Sequence, residues 1–453
     1  MYSPLVRLAI VSAITLSSST AFAVPFNSFD PRSMAMGGAG VAIGDAAMAP
    51  FFNPALLSVT RDEDDFSMNL PIAGVRAYDP EDFQDSLDSF QDGGYIDTLD
   101  ASILAFNNID PQTDPAGAAA SLRIVAGDGS TLSTELTTLD QKPIQAEIGA
   151  GLVIGIPSKK YGGAFYANGW AAVGGVVNYR DDATLQEFSA SLTDVANCYD
   201  DIAAGGTCDP NTLSSRYFDP NTGEVTFDST DLTSTVDMQV VGFAESGLAL
   251  GTQFGDGPGS WALGVTPKYV KVRLYEYSAD VNSADAGDAD GDDYLAEYSH
   301  VNFDIGLAKN YNNGWRSGLV VKNIISHTYD FKNAPAPGQE TVPTGNSITL
   351  KPQARLGISH QNGWSTVALD VDLTANDPAG FEEKSRYVAL GGELNAWDWI
   401  QLRAGYRVNT FDSNRNVASV GLGLALFGTL HVDASVAGNA DEAGAAVQLG
   451  LQF

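Results

Sequence analysis

The chain has 453 residues; 44% are hydrophobic, 18% are charged, 47 are glycine, and the formal net charge is −32. The apolar share excludes wholesale disorder, and a mean hydropathy of −0.06, with no long apolar run beyond the N-terminus, excludes a bundle of membrane-spanning helices. So acidic a chain also lacks the Lys/Arg patches that hold nucleic acid or anionic lipid surfaces.

In chain order, Arg7, the apolar run 8–16 and Ala21-Phe22-Ala23 read as a secretory leader over 1–23, with the mature chain starting at Val24. The apolar run is too short for a membrane anchor. Residues 24–63 follow as an N-terminal hatch. Within them, 32–57 (RSMAMGGAGVAIGDAAMAPFFNPALL) is small, glycine-rich and apolar, with no regular alternation. Gly37, Gly38, Gly40 and Gly44 do not have G-x-G-x-x-G spacing, no P-loop Lys follows, and no strand precedes them. Close backbone packing inside a lumen is the reading that remains.

From residue 64 onward the pattern is a barrel: an all-β, transmembrane, antiparallel sheet of about 14 strands. Residues 144–156, 301–307, 367–373, 400–407, 417–426, 430–436 and 446–453 alternate with period two. One face is aliphatic or aromatic; the other is polar or glycine. Strands of this kind, at roughly nine to eleven residues, suit a tilted membrane span. Tyr161, Trp261, Trp315, Trp364, Trp397 and Trp399 sit near strand ends, as interfacial aromatic girdles do. Inward charges at Glu147, Asp304, Lys322, Arg355, Asp370, Asp372, Arg403, Arg407 and Asp433 predict a hydrogen-bonded network in the lumen.

The connections alternate in length. Those at 157–161, 255–260, 311–314, 361–363, 395–398 and 427–428 are short and carry turn-forming Gly and Asn. Those at 79–141, 181–238, 278–298, 332–347 and 374–384 are longer, followed by two brief ones near Asp412 and Asn439. Short periplasmic turns and long extracellular loops are the architecture of outer-membrane barrels. The first three long loops hold 32 of the 56 acidic residues. Phe83, Leu87 and Phe90 predict short amphipathic helices in the first.

Cys198 and Cys208, in an exported chain, read as a local disulfide; nine intervening residues are wrong for a C-x-x-C redox pair, and no His is near for a metal. Asp285–Glu297 resembles a calcium loop, with Asp288, Asp290 and Glu297 at positions three, five and twelve. Position one is Ala286 and no hydrophobic helices flank it, so a solvated acidic loop is the favoured reading. His300, His327, His360 and His431 have no metal-ligand spacing and no local Ser/His/Asp pattern; a triad assembled from distant positions stays open. No catalytic, metal or cofactor motif stands out.

The chain ends AVQLGLQF, an alternating strand closing on Phe453, which resembles the assembly signal of outer-membrane barrels. The 32–57 segment resembles the N-terminal segment of the FadL/OMPP1 outer-membrane transporter superfamily: a small and glycine-rich run, an acidic residue, then an aromatic followed by Asn-Pro-Ala. Its NPALL ending is closer still to the outer-membrane proteins labelled conjugal transfer TraF-like. With no C-x-x-C, that label carries no thioredoxin-like meaning. The resemblance implies a fourteen-stranded barrel in a Gram-negative outer membrane, with a hatch inside. Gly37, Gly38, Gly40, Phe51, Phe52, Asn53 and Pro54 would form the hatch and ligand path, and Asn53 would lock the hatch to the wall. The expected function is passage of a small hydrophobic solute through a plugged lumen; the alternative is a structural or surface-interaction barrel. The expected partners are outer-membrane lipid and lipopolysaccharide, a small hydrophobic ligand, and the barrel assembly machinery through Phe453. The large acidic loops depart from the lipid transporters.

Overall fold

The computed structural model describes residues 29–452, apart from 44–45, 60–64, 159, 214–215, 228–231, 281–292, 334–341, 377–380, 382–383 and 397–398. The leader, Val24, Gly44, Asp285, Ala286, Asp288, Asp290, Trp397 and Phe453 lie outside the described residues.

The first nine strands are β1 (Ser67–Tyr78), β2 (Ile144–Ile156), β3 (Gly162–Asn178), β4 (Phe218–Asp219), β5 (Glu224–Val225), β6 (Thr235–Phe254), β7 (Trp261–Asp280), β8 (Leu295–Asn310) and β9 (Trp315–Lys322). The rest are β10 (His327–Asn333), β11 (Val342–Leu350), β12 (Gln353–Gln361), β13 (Ser365–Asp372), β14 (Tyr387–Ala396), β15 (Ile400–Asn409), β16 (Val417–Leu426), β17 (Leu430–Gly438) and β18 (Glu442–Gln452). Fourteen of them close into a barrel in the order β1-β18-β17-β16-β15-β14-β13-β12-β9-β8-β7-β6-β3-β2. β1 completes the ring by pairing antiparallel with both β18 and β2. The pairs β4–β5 and β10–β11 are separate two-stranded sheets.

Period-two alternation sorts the side chains. Leu263, Val265, Phe303, Ile305, Leu307, Leu369 and Leu402 point outward and stay exposed, forming the apolar band that faces lipid. Tyr161, Trp261, Trp315, Trp364 and Trp399 are exposed at the short-turn end. The opposite face is buried, polar or glycine along much of the wall and apolar high on β6 and β7. Wall height is uneven: β6 and β7 have 20 residues each, whereas β9 and β13 have eight and β12 has nine. Among the described residues no helix is long and apolar enough to cross a membrane.

Six helices are described: α1 (Pro31–Ala35), α2 (Ala49–Phe52), α3 (Phe83–Gly93), α4 (Tyr95–Asn107), α5 (Pro115–Leu139) and α6 (Asp182–Ala203). The first long loop carries helices, as the sequence predicts, but α5 runs for 25 residues. Its N-terminus is fixed by Pro115 and by Asp114, whose carboxylate accepts from Gly117 N at 2.9 Å. The second loop carries α6, which the sequence reading does not contain. Leu185, Phe188, Leu192, Val195 and Tyr199 recur at helical spacing and bury one face against Leu122, Val125, Leu132 and Leu136 of α5. Phe106, Tyr217, Phe218 and Phe227 complete a core outside the barrel, with the Phe188 and Phe227 ring centroids 4.6 Å apart. The two loops thus fold into one cap. The disulfide Cys198–Cys208 ties the last turns of α6 to the chain that follows.

The connection placed at 332–347 is a second correction. The barrel wall stops at Lys322 and resumes at Gln353, and the residues between form the β10–β11 hairpin. Tyr329, Phe331 and Leu350 of that hairpin pack on inward-facing Phe243, Val270, Val272 and Leu274, so the hairpin folds into the lumen. Burial of its aromatic face drives this, because the neighbouring wall is apolar there too.

The cap is joined to the wall at Asp181. Its carboxylate accepts from Thr233 N (2.9 Å), Thr233 Oγ1 (2.8 Å), Ser234 N (2.7 Å) and Ser234 Oγ (2.5 Å). Burial by itself raises its pKa, but the hydrogen bonds from Ser234 and Thr233 outweigh it and hold the carboxyl below its ordinary value. A lowered folded pKa makes this anchor fully present above the ordinary carboxylate range and lost as pH falls through the folded value. Asp181→Ala is expected to destabilise the cap by about 2 kcal/mol. The readout is faster amide hydrogen exchange across α6 with the barrel strands unchanged. Wild-type exchange should approach the variant's at strongly acidic pH.

Candidate functional site

The 29–59 segment crosses the lumen as a plug. Asp30 caps α1 by accepting from Ser33 N at 2.8 Å, and Pro31 starts the helix. Gly37 and Gly38 have φ of +72° and +96°, which turn the chain at no steric cost. After α2, Asn53 caps a short 3₁₀ turn over Pro54–Ser58.

The wall makes room by lacking side chains. A Cβ on Gly264 would lie 2.2 Å from the Pro54 carbonyl carbon; on Gly306, 2.0 Å from Asn53 Oδ1; on Gly318, 2.3 Å from the Val41 carbonyl oxygen. One on Gly405 would lie 2.1 Å from Gly37 N, and one on Gly421, 2.5 Å from Ala35 Cβ. Register lines these glycines up across strands: Gly251, Gly264 and Gly306 face one another on β6, β7 and β8, as do Gly318 and Gly357 on β9 and β12, and Gly391 and Gly405 on β14 and β15.

Polar ties then fix the plug. Asn53 is fully buried; its Nδ2 donates to the Val41 and Leu307 carbonyls, both at 3.0 Å, and its Oδ1 accepts from Ala55 N at 3.1 Å. Asp370 on β13 accepts from Gly40 N (2.8 Å) and Val41 N (2.9 Å). Arg355 donates to the Gly38 carbonyl at 3.1 Å, Ser359 to that of Ala42 at 2.9 Å, and Lys322 to that of Phe51 at 3.2 Å. Ser419 donates to the Ala35 carbonyl at 3.0 Å and accepts from Gly37 N at 3.1 Å. Arg32 forks onto Glu393, with both bonds at 2.9 Å.

The seven residues singled out in the sequence all lie in the plug but against different parts of the wall: Gly37 on β15 and β16, Asn53 and Pro54 on β7 and β8. Gly40 packs under the Phe52 ring, Phe51 meets Tyr166 edge-on at 5.5 Å, and Pro54 abuts the wall glycines. Only Gly37 and Gly38 touch the small cavity of about 40 Å³ above the plug, beside Arg76, Glu147, Arg407 and Glu442.

The inward charges predicted from alternation form ion clusters: Arg355 with Asp372 at 2.6 Å, Arg403 with Asp433 at 2.5 Å, and Asp304 with Lys268 at 3.0 Å. Their partners Arg76, Glu245, Lys268, Glu393 and Glu442 were not singled out, nor were Ser359 and Ser419. Pro71 interrupts the alternation of β1, but Lys268 continues a plain Thr266-Lys268-Val270 face and Glu393 a Gly391-Glu393-Asn395 face, and both are readable. The upper lumen also departs from a polar lining. Trp170, Val241, Phe243, Val270 and Val272 join Tyr329 and Phe331 of the hairpin and Phe29 and Met34 of the plug in one apolar cluster. His300 and His327 stack there with ring centroids 3.7 Å apart. Glu297 lies in β8 and pairs with Lys271 at 3.4 Å and with Arg273. Among the described residues no group of three or more His, Cys, Asp or Glu is placed to hold a metal ion.

A closed fourteen-stranded wall with an apolar outer band, filled by an N-terminal plug, defines an outer-membrane barrel. The chain belongs to the family described as "F plasmid transfer operon, TraF, protein", whose model matches residues 50–372. No curated protein sequence matches. Among solved structures, the Ralstonia pickettii toluene transporter TbuX shares the fold at a TM-score of 0.50, with 11% identity over 94% of this chain and 99% of that one. A Pseudomonas aeruginosa FadL homologue gives a TM-score of 0.46, with 12% identity over 96% and 99% of the two chains. The CymD monoaromatic hydrocarbon channel gives 0.48, with 11% identity over 94% and 97%.

Asn53→Ala removes the carboxamide's three hydrogen bonds and leaves carbonyls buried without donors, at a cost of about 2–3 kcal/mol to the seated plug. Gly264→Leu places a side chain where the plug backbone runs. Both variants are expected to raise the frequency of conductance steps in planar bilayers over the wild type. A Leu263→Ala control on the lipid face should not.

Proposed function

We propose that this protein is an outer-membrane transporter that admits a small hydrophobic solute, held shut by its plug in this conformation. The observation that carries the reading is the apolar cluster in the upper lumen. A water-filled porin lines its lumen with polar groups. Here aromatic and aliphatic side chains lead from the in-folded hairpin to Phe29 on the plug. An apolar solute gains on entering such a lining, roughly 25 cal/mol for each Å² of its surface taken from water. The fold shared with a toluene transporter supports the same reading. The hatch would have to shift for passage, with Gly37, Gly38, Gly40, Phe51, Phe52, Asn53 and Pro54 at the moving seam. Outer-membrane lipid and lipopolysaccharide would meet the outer band, and the barrel assembly machinery the final strand.

The cap favours a second reading, a surface-interaction barrel. It has its own hydrophobic core, yet leaves Leu104 and Ile124 66% and 60% exposed. Deleting the cap separates the two: loss of cell contact with solute uptake unchanged favours the second reading.

Deleting residues 24–61 of the mature chain is expected to turn a silent protein into a steadily conducting one in planar bilayers. Phe243→Asp, with the plug intact, is expected to lower uptake of toluene by about tenfold, the effect of a buried, unpaired carboxylate worth 1.4 kcal/mol or more. Unchanged conductance after deletion together with unchanged uptake in Phe243→Asp overturns the transport reading.

A further inference from the structure

A cavity of about 540 Å³ lies on the far side of the plug from the apolar cluster. Turn residues Gly257, Pro258 and Gly314 and the β18 end at Gln452 place it at the periplasmic mouth, with Ile43, Ala46 and Ala47 of the plug as its apolar roof. Its walls are the inward faces of the strand ends, rich in amides such as Asn310, Asn395 and Gln401. Its volume is that of a small-molecule site.

Two of its guanidiniums are engaged with carboxylates. Arg32 holds Glu393, and Arg403 bridges Glu393 at 2.7 Å and Asp433 at 2.5 Å. Arg316 is different. It projects inward from β9 into the cavity, and its Nε donates to Asn310 Oδ1 at 3.0 Å. Among the described residues no carboxylate pairs with it. An ionised group inside a membrane barrel is costly and persists where water or a ligand compensates it. Asn310 orients the fork through Nε, leaving the two terminal nitrogens for an incoming group.

We propose that this vestibule binds a small organic carboxylate, its anionic end on Arg316 and its apolar end under Ile43, Ala46 and Ala47. A guanidinium fork matches a carboxylate in bidentate geometry. The neighbouring amides supply further donors, and the apolar roof favours a short chain or ring over a bare anion. The site is separated from the apolar cluster by the plug and stands whether or not the barrel transports a hydrophobic solute.

The test is titration calorimetry on the intact mature protein in detergent, with benzoate as the probe and benzyl alcohol and inorganic phosphate as comparators. Benzoate should bind at one site per chain, and Arg316→Gln should weaken it by about tenfold or more, the loss of a charge-assisted pair. Benzyl alcohol and phosphate should bind far more weakly. Equal benzoate binding by wild type and variant, absence of benzoate binding, or phosphate binding as tight as benzoate overturns the assignment. A second measurement keeps Arg316 in place and covers a variant that fails to fold. In Gln361→Cys, whose native cysteines are already paired, benzoate should slow labelling by a charged methanethiosulfonate several-fold. Labelling indifferent to benzoate overturns the proposal.

Discussion

The plug can occupy the lumen because the wall has no side chains where the plug backbone passes. Gly264, Gly306, Gly318, Gly391, Gly405 and Gly421 each remove a Cβ that would otherwise lie between about 2 and 3 Å from plug atoms. Strand pairing sets those gaps side by side, so the seat is a groove rather than scattered holes. Glycine in a strand interior is destabilising, and the cost recurs around the ring. It is offset by the carbonyl and amide bonds from Asn53, Asp370, Arg355, Ser359 and Ser419, each worth about 1 kcal/mol, and by burial of Phe51, Phe52, Leu56 and Leu57. Seat and ties come from different strands, so the plug reports on the closure of the whole ring.

Two chemistries are stacked along the barrel axis. Above the plug the lining is apolar and close-packed on the side of β6 and β7, where the β10–β11 hairpin completes it, and ion-paired across from it, where Arg76, Glu147, Arg407 and Glu442 meet. Below the plug the lining is amide and guanidinium around an open volume. The acidic cap lies beyond both, with Arg123 and Asp200 forming an exposed pair at 2.5 Å between its two long helices. Between the two lumen halves runs the plug seam, where Phe51 faces Tyr166 and Gly40 lies beneath Phe52. A change at the seam is therefore felt on both sides.

Much of this was legible in the sequence, because a barrel strand repeats every two residues and a plug segment does not. The strands, the short turns and the inward charges at Asp304, Arg355, Asp370 and Asp433 follow from that periodicity, and the disulfide from a close cysteine pair in an exported chain. Who pairs with whom does not follow, because cross-strand register sets it: Arg403 reaches Asp433, 30 positions away, only once β15, β16 and β17 are aligned. The α6 helix was readable from Leu185, Phe188, Leu192 and Val195, but acidic composition masked its 3.6-residue period. The hairpin is hidden in the sequence because His327–Phe331 alternates like a wall strand. Only the apolar inner face of β6 and β7 tells it to turn inward. The wall glycines were visible as a polar-or-glycine face, but nothing in one strand reveals that the gap is filled by residues from the N-terminus.

Uneven strand length gives the rim a slope. Twenty residues rising about 3.3 Å each and tilted near 45° stand roughly 45 Å tall, well above an apolar band about 25 Å high, whereas eight residues reach only about 19 Å. On the side of β6 and β7 the lumen is fenced off far out into the aqueous phase. On the side of β9, β12 and β13 the wall ends at about the depth of the outer leaflet's acyl chains. There the chain leaves the sheet, tied back by Ile324 N to the Phe303 carbonyl at 3.0 Å and by Asn302 to Ile325, and the hairpin that follows folds inward instead of extending the wall. The barrel is thus a vessel with a low lip on the side of β9, β12 and β13.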